Sequence, residues 1–286
     1  MQYFEPNFMN EALVVLERFG ARCKILAGGT LLGAQLRAAP TEVDAVVNVK
    51  RVPSLKDIEE SDRGLRIGAL ATAHVLAAHP LVIERAPLVA QAAAGLGARQ
   101  LRTLATIGGN ACSAHPSADL AVALLASDAV VEYATLSEDK RSVPIERFLL
   151  DPNDSVPTGA LVTGFWLPLR DGGARFCKLR TRRAFELALV SVAAWVHVKR
   201  SNVVDCRIAL GGVAATPVPA TNASSALKTG ALAEPRIREA AARAADADAR
   251  PQDDLRASAP YRRHLVHVLV ARALREIAAL PQTGSH

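Results

Sequence analysis

Apolar residues along this chain recur at two periods, and the changes of period mark out its elements. Residues 11–19 space apolar side chains as a short amphipathic helix does and end at Gly20, a residue typical of the position just past a helix. Residues 23–27 (CKILA) read as a strand. Gly28-Gly29 follow, then 30–37 reads as a helix stopped near Pro40, and 45–49 (AVVNV) reads as a second strand. Such a strand–turn–helix–strand unit favours an α/β layer. Residues 64–70 (GLRIGAL) alternate like a strand, while 71–79 and 87–96 are Ala-rich helical stretches. Residues 119–127 (DLAVALLAS) carry apolar positions on a helical period with Asp119 at the start. Residues 129–134 and 161–167 read as strands, the latter ended by Pro168.

The run Arg170-Asp171-Gly172-Gly173 is a turn signal. Beyond it lie three strand-like runs (174–179, 187–198 and 203–213), then three helical stretches (222–228, 234–247 and 260–280). Strands followed by helices suggest a separate unit, so a boundary is expected near residue 170 and the fold class is α+β.

Composition narrows the classes. The chain has 286 residues, half of them hydrophobic and 22% charged, which fits a globular protein. Aromatics are only 4%, so aliphatic residues and Ala must build the core. No apolar run approaches the roughly 20 residues that a membrane span needs. The first ten residues lack the basic-then-apolar pattern of a secretory signal. Cys23, Cys112, Cys177 and Cys206 stand alone, without CxxC spacing, so neither a metal centre nor a disulfide framework is expected, and a cytoplasmic location is. The net charge of +6 is dispersed over many Arg residues, which argues against nucleic acid as the partner.

Two segments carry candidate chemistry. In Ala27-Gly28-Gly29-Thr30-Leu31, between a strand and a helix, two glycines permit close backbone approach, and amides at a helix start suit an anion such as a pyrophosphate. The same pattern also serves as a plain turn. It is neither G-x-G-x-x-G nor a Walker loop. The second segment is Thr106-Ile107-Gly108-Gly109-Asn110, continuing to Asp119 through small and polar residues. Thr106 and Asn110 can hydrogen-bond a phosphate or a ring edge. Asp119 suits ribose hydroxyls or the cap of the helix that follows, and local sequence leaves both open. Two such loops about 80 residues apart would let two subdomains grip one elongated dinucleotide. His115 lies inside the second loop. Arg180, Arg182 and Arg183 form a basic cluster that suits a solvated face, a partner subunit or a phosphate.

These residues carry a resemblance. AGGT (27–30) and TIGGN with Asp119 resemble the paired flavin motifs of the FAD-binding, medium subunits of molybdenum hydroxylases, the family of xanthine, carbon monoxide and aldehyde dehydrogenases. Residues 64–80, 178–192, 207–217 (RIALGGVAATP) and 254–263 (DLRASAPYRR) resemble further stretches of that family, in order. The resemblance implies an FAD-binding domain over 1–170, of the p-cresol methylhydroxylase and vanillyl-alcohol oxidase type. Its two subdomains would divide near 50–60. A smaller α+β domain, a three-stranded sheet with helices, would follow over 171–286.

The resemblance further implies that Ala27, Gly28, Gly29, Thr30 and Leu31 cradle the FAD pyrophosphate. Thr106, Gly109 and Asn110 would bind the diphosphate and its surroundings, and Asp119 a ribose or nearby polar group. Lys178 would stand near the pyrimidine edge of the flavin, where its charge favours the reduced, anionic ring. The implied role is electron relay: from a molybdenum cofactor on a large subunit, through [2Fe–2S] clusters on a small subunit, to this FAD, and on to NAD, a quinone or dioxygen. The implied assembly is a dimer of heterotrimers. Two departures stand out: Leu31 occupies a position often Asp or Ser, and Cys112 one usually aliphatic or Ala. No Cys-rich insertion is present, so no cluster is expected in this chain. Two rivals remain: a stand-alone flavin oxidoreductase and a non-catalytic assembly protein of the same fold.

Overall fold

The computed structural model describes residues 1–38, 42–138, 140–181 and 187–280. Pro40, Arg182 and Arg183 lie outside the described residues. The architecture is α+β, with three sheets following one another along the chain.

The first sheet is parallel: β1 (Gln2–Phe4), β2 (Cys23–Leu26) and β3 (Ala45–Asn48), in the order β1-β3-β2. All four residues of β3 are buried, as expected of a central parallel strand covered on both faces. Helix Met9–Phe19 turns Ala12, Leu13 and Leu16 onto this sheet, and Glu11 Oε2 accepts from Asn7 N at 2.8 Å ahead of the helix.

The second sheet is antiparallel: β4 (Ile58–Ser61), β5 (Gly64–Gly68), β6 (Val130–Ala134), β7 (Arg141–Pro144) and β8 (Leu161–Leu167), in the order β4-β5-β8-β6-β7. Period-two alternation sends Leu65, Ile67, Val131 and Phe165 into the core under the helices between β5 and β6. On the β5-β8-β6 ribbon, Glu132 Oε1 accepts from Arg66 Nη2 at 2.8 Å and Thr163 Oγ1 at 2.9 Å. Its Oε2 accepts from Trp166 Nε1 at 3.0 Å. Burial works against this carboxylate, but these bonds outweigh it and hold its pKa below the usual range.

The third sheet comprises β9 (Gly173–Leu179), β10 (Val190–Lys199), β11 (Asn202–Gly211) and β12 (Val218–Pro219), all antiparallel, in the order β12-β11-β10-β9. The expected three strands are therefore four. The fourth spans two residues, too few for any periodicity, and Pro219 is tolerated because the strand lies at the edge. Arg200 and Ser201 both take positive φ (50° and 72°) in the two-residue turn of the β10–β11 hairpin. Helices Thr221–Leu227, Pro235–Asp248 and Ala259–Ala278 cover the sheet, with Leu265, Val266, Leu269, Val270 and Leu274 of the last buried in its core.

Helix Asp119–Ala126 joins the two halves. All eight of its residues are buried, and its core also takes in Ala174, Ala193 and Ala209 of the third sheet. A helix apolar all round must be surrounded on all sides. The candidate site is built at its N-terminal end. Among the described residues, no helix is long and apolar enough to cross a membrane.

Candidate functional site

The first glycine loop packs against the residues that lead into the second. A Cβ built on Gly28 would overlap the Leu104 carbonyl oxygen and stand 2.7 Å from the carbonyl carbon, so this main chain lies directly on Leu104-Ala105. Gly29 adopts φ +70°, where an L side chain is strained, and its carbonyl accepts from Gly33 N at 3.0 Å to start helix Leu32–Ala38. Ala27, Gly28 and Gly29 are half-buried, whereas Thr30 and Leu31 are exposed.

The second loop is stitched to the segment after β5. Gly108 N donates to Ala69 O at 2.9 Å, Ile107 N to Ala71 O at 3.0 Å, and Ala73 N to Ala105 O at 2.9 Å. Thr106 is buried, and its Oγ1 accepts from Gly109 N at 3.1 Å as the cap of helix Ile107–Cys112. Gly109 itself is exposed: a Cβ there would meet only Thr106 Oγ1, at 3.0 Å. One glycine of this pair thus serves packing and the other leaves an open face. Cys112 keeps part of its surface open to solvent, yet the protein around its thiol pushes the pKa up to about 12, so it stays a thiol at neutral pH.

Asn110 turns its Oδ1 to the helix that follows, accepting from Leu120 N at 3.0 Å and Ala121 N at 3.2 Å. Asp119 is the first residue of that helix, but its side chain points away from a capping role. Its Oδ2 forms an ion pair with Lys178 Nζ on β9, with both side chains 7% exposed. Its other oxygen, Oδ1, is buried with no hydrogen-bond partner among the described residues. Burial pushes the Asp119 carboxyl up, against the pull of Lys178 and Arg180. Burial likewise pushes the Lys178 ammonium down, against the pull of Asp119.

Sequence reasoning missed the surroundings of this pair. The Lys178 stem packs on Gly95, whose carbonyl accepts from Arg180 Nη1 at 3.3 Å. Arg102 Nη1 donates to Leu96 O at 3.1 Å and Gly97 O at 3.2 Å. Arg180 is therefore half-buried and engaged rather than on a solvated face. Both arginines lie near enough to disfavour the charge on Lys178. An arginine cluster close to Lys178 in sequence was the one available signal, and its meaning depended on the fold.

The loop between Asn110 and Asp119 is pinned to the third sheet. Ser113 Oγ donates to Asn110 O at 2.7 Å, and Ser117 Oγ to Ala188 O at 2.9 Å. Gly212 N donates to Pro116 O at 2.7 Å. Buried Arg262 donates to the carbonyls of Leu189 and Gly212 and pairs with Asp254 Oδ2 at 2.7 Å. Segments 207–217 and 254–263 thus converge behind the loop. His115 Nδ1 accepts from Ser117 N at 3.0 Å, and burial, then Arg256, hold the imidazole pKa low.

Residues 1–170 match the family described as FAD binding domain in molybdopterin dehydrogenase, and residues 175–277 match the CO dehydrogenase flavoprotein C-terminal domain. The chain belongs to the FAD-binding medium subunits of molybdenum hydroxylases. It is 31% identical to the glyceraldehyde dehydrogenase medium chain of Sulfolobus acidocaldarius, over 96% of this chain and 98% of that one. It is 30% identical to the carbon monoxide dehydrogenase medium chain of Hydrogenophaga pseudoflava, over 96% and 95%. The solved carbon monoxide dehydrogenase of Hydrogenophaga pseudoflava lacking the Mo-pyranopterin moiety superposes with a TM-score of 0.92. It has 28% identity and covers 98% of this medium subunit and 97% of the solved chain.

Proposed function

We propose that this medium subunit carries FAD between its two glycine loops and relays electrons within a molybdenum hydroxylase. The observation that carries the reading is the close approach of the first loop to the chain entering the second: Gly28 against Leu104-Ala105, with the exposed Gly109 nearby in sequence. Three features suit the cofactor. Gly109 offers a face that a Cβ would fill, Gly29 holds a left-handed turn at a helix start, and Asp119 Oδ1 is a buried acceptor with no partner among the described residues. Ala27 to Leu31, with Thr106, Gly109 and Asn110, would hold the diphosphate region, Asp119 a ribose or nearby polar group, and Lys178 the pyrimidine edge of the flavin. Bound flavin supplies the exchange between one-electron and two-electron carriers that such a relay requires.

The chain's own task is to place and tune. Buried Lys178 presents a positive charge, and positive charge near a flavin favours its anionic reduced form. The large molybdenum-binding and small [2Fe–2S] subunits are the proposed partners, in a dimer of heterotrimers, and the cytoplasm is the proposed compartment. NAD, a quinone or dioxygen would accept the electrons. We assign residues 1–170 to a two-subdomain FAD domain of the p-cresol methylhydroxylase type, divided near 50–60, and residues 171–286 to its companion domain. The parallel sheet ending at Asn48 and the antiparallel sheet beginning at Ile58 support this assignment.

Acid release from the purified protein should yield stoichiometric FAD. FMN, or no flavin after reconstitution, would remove the cofactor assignment. The FAD-loaded subunit alone should not hydroxylate a xanthine or an aldehyde, and substrate should bleach its flavin only once both partners are added. Turnover by the isolated subunit would overturn the relay.

Gly109→Val should separate folding from cofactor binding. Among the described residues only the Thr106 hydroxyl stands near the new Cβ, so the melting temperature should fall by no more than a few degrees. The branched side chain would fill the open face, and FAD affinity should drop at least about a hundredfold, the equivalent of about 2.7 kcal/mol. Near-normal FAD content in the purified variant would show that Gly109 serves the turn alone.

A further inference from the structure

The acceptor that caps helix Asp119–Ala126 comes from Asn110, ten residues before the Leu120 amide it holds. Ala118, at the usual capping position, has no oxygen in its side chain, and the helix shows no side-chain cap of its own there. Asn110 Oδ1 fills the gap by accepting from Leu120 N and Ala121 N, the two amides directly after Asp119. The backbone of Asp119 is therefore held from Asn110, while its carboxylate holds Lys178 on β9. Among the described residues, Asp119 is the group that keeps Lys178 charged. It is buried, and Arg180 and Arg102 both oppose its proton. The contacts run without a break from Asn110 Oδ1, through the helix start, to Asp119 and the Lys178 ammonium.

We propose that Asn110 is a positioning residue for the Lys178 charge, so that it sets the flavin's reduction potential as well as contributing to cofactor affinity. The inference rests on FAD occupying the site proposed above. A residue that only donates its Nδ2 hydrogens to the cofactor would act independently of Lys178. A residue that acts through Asp119 cannot, because once Lys178 is gone nothing remains for it to position.

The test is a double-mutant cycle read as flavin midpoint potential, by anaerobic titration of the FAD-loaded full chain against a reference dye. Lys178→Met should lower the potential, since the charge favouring the anionic reduced ring is removed. Asn110→Ala should lower it too, and the double variant should go no lower than the lower of the two single variants. Amide exchange at Leu120 and Ala121 should quicken in Asn110→Ala, and FAD affinity, measured separately, should weaken by about tenfold. Asn110→Asp keeps an acceptor for both amides and guards against a misfolded alanine variant. In that background Lys178→Met should lower the potential by as much as it does in the wild type.

Additive shifts for alanine and methionine overturn the proposal. So does an unchanged potential in FAD-loaded Asn110→Ala, or a lost Lys178→Met effect in the aspartate background. A wild-type chain that takes up no FAD overturns the cofactor reading, and this inference with it. Additive shifts in FAD-loaded protein overturn this inference alone.

Discussion

Gly28→Ala should cost about 3 kcal/mol of stability and abolish FAD binding, although it adds a single methyl group. The new carbon would overlap the Leu104 carbonyl oxygen, stand 2.7 Å from the carbonyl carbon and 3.3 Å from Ala105 Cα. All three are main-chain atoms, so no rotamer change relieves the clash. One loop has to move as a body. Leu104-Ala105 resists, because Ala105 O accepts from Ala73 N and the next residues are bonded to Ala69 and Ala71. The 27–31 segment would therefore yield, and with it the junction that defines the proposed cofactor site. At about 2–4 °C per kcal/mol for a chain of this size, the melting temperature should fall by roughly 6–12 °C. Gly33→Ala is the control. It lies five residues away with only the end of the Arg37 side chain within reach of a Cβ, and should leave folding intact. Equal behaviour of the two variants would show that the loops do not depend on their close approach.

The limits of the sequence reading follow from the same geometry. That Gly28 permits close approach was legible from a Gly-Gly pair after a strand. What it approaches was not, because Leu104 is far along the chain and contributes main-chain atoms, which carry no sequence signature. The reading of Asp119 stayed divided between a ribose contact and a helix cap. The structure shows a third use, an ion pair with Lys178, and moves the capping to Asn110. Capping rules look one to three positions from a helix start, so an acceptor nine residues upstream lies outside their reach. Long, patterned elements such as helix Asp119–Ala126 and β5 were recognisable from apolar period. Strand β4 (IEES) was not: three of its four residues are exposed, and neither face shows an apolar alternation. The turn at Arg200-Ser201 lacks the Asn or Gly that usually marks two positive-φ residues, which left the hairpin unmarked.

Asp119→Ala should be the most damaging change of a single side chain at the site, by about 3–5 kcal/mol. Among the described residues the carboxylate is the one acidic group that supports the Lys178 charge, while Arg180 and Arg102 oppose it. Removing it leaves a cation 7% exposed with like charges beside it. Lys178, already pushed below its ordinary pKa by burial, would be pushed further. The sign of the pH dependence follows. With its folded-state pKa below the unfolded one, an unpaired Lys178 imposes its full cost when it is protonated in both states. That cost shrinks as pH rises from the lowered folded pKa towards the ordinary lysine value, because the unfolded chain then binds the extra proton. Denaturant melts of the variant should accordingly show its deficit against wild type narrowing between neutral pH and about pH 10. Adding Lys178→Met removes the stranded charge, so the double variant should recover most of the lost stability at neutral pH. It should nonetheless keep a lowered flavin potential, since stability and tuning part company once both charges are gone. A pH-independent deficit, or a double variant as unstable as Asp119→Ala, would mean that the loss comes from packing at the helix start and not from the buried ammonium.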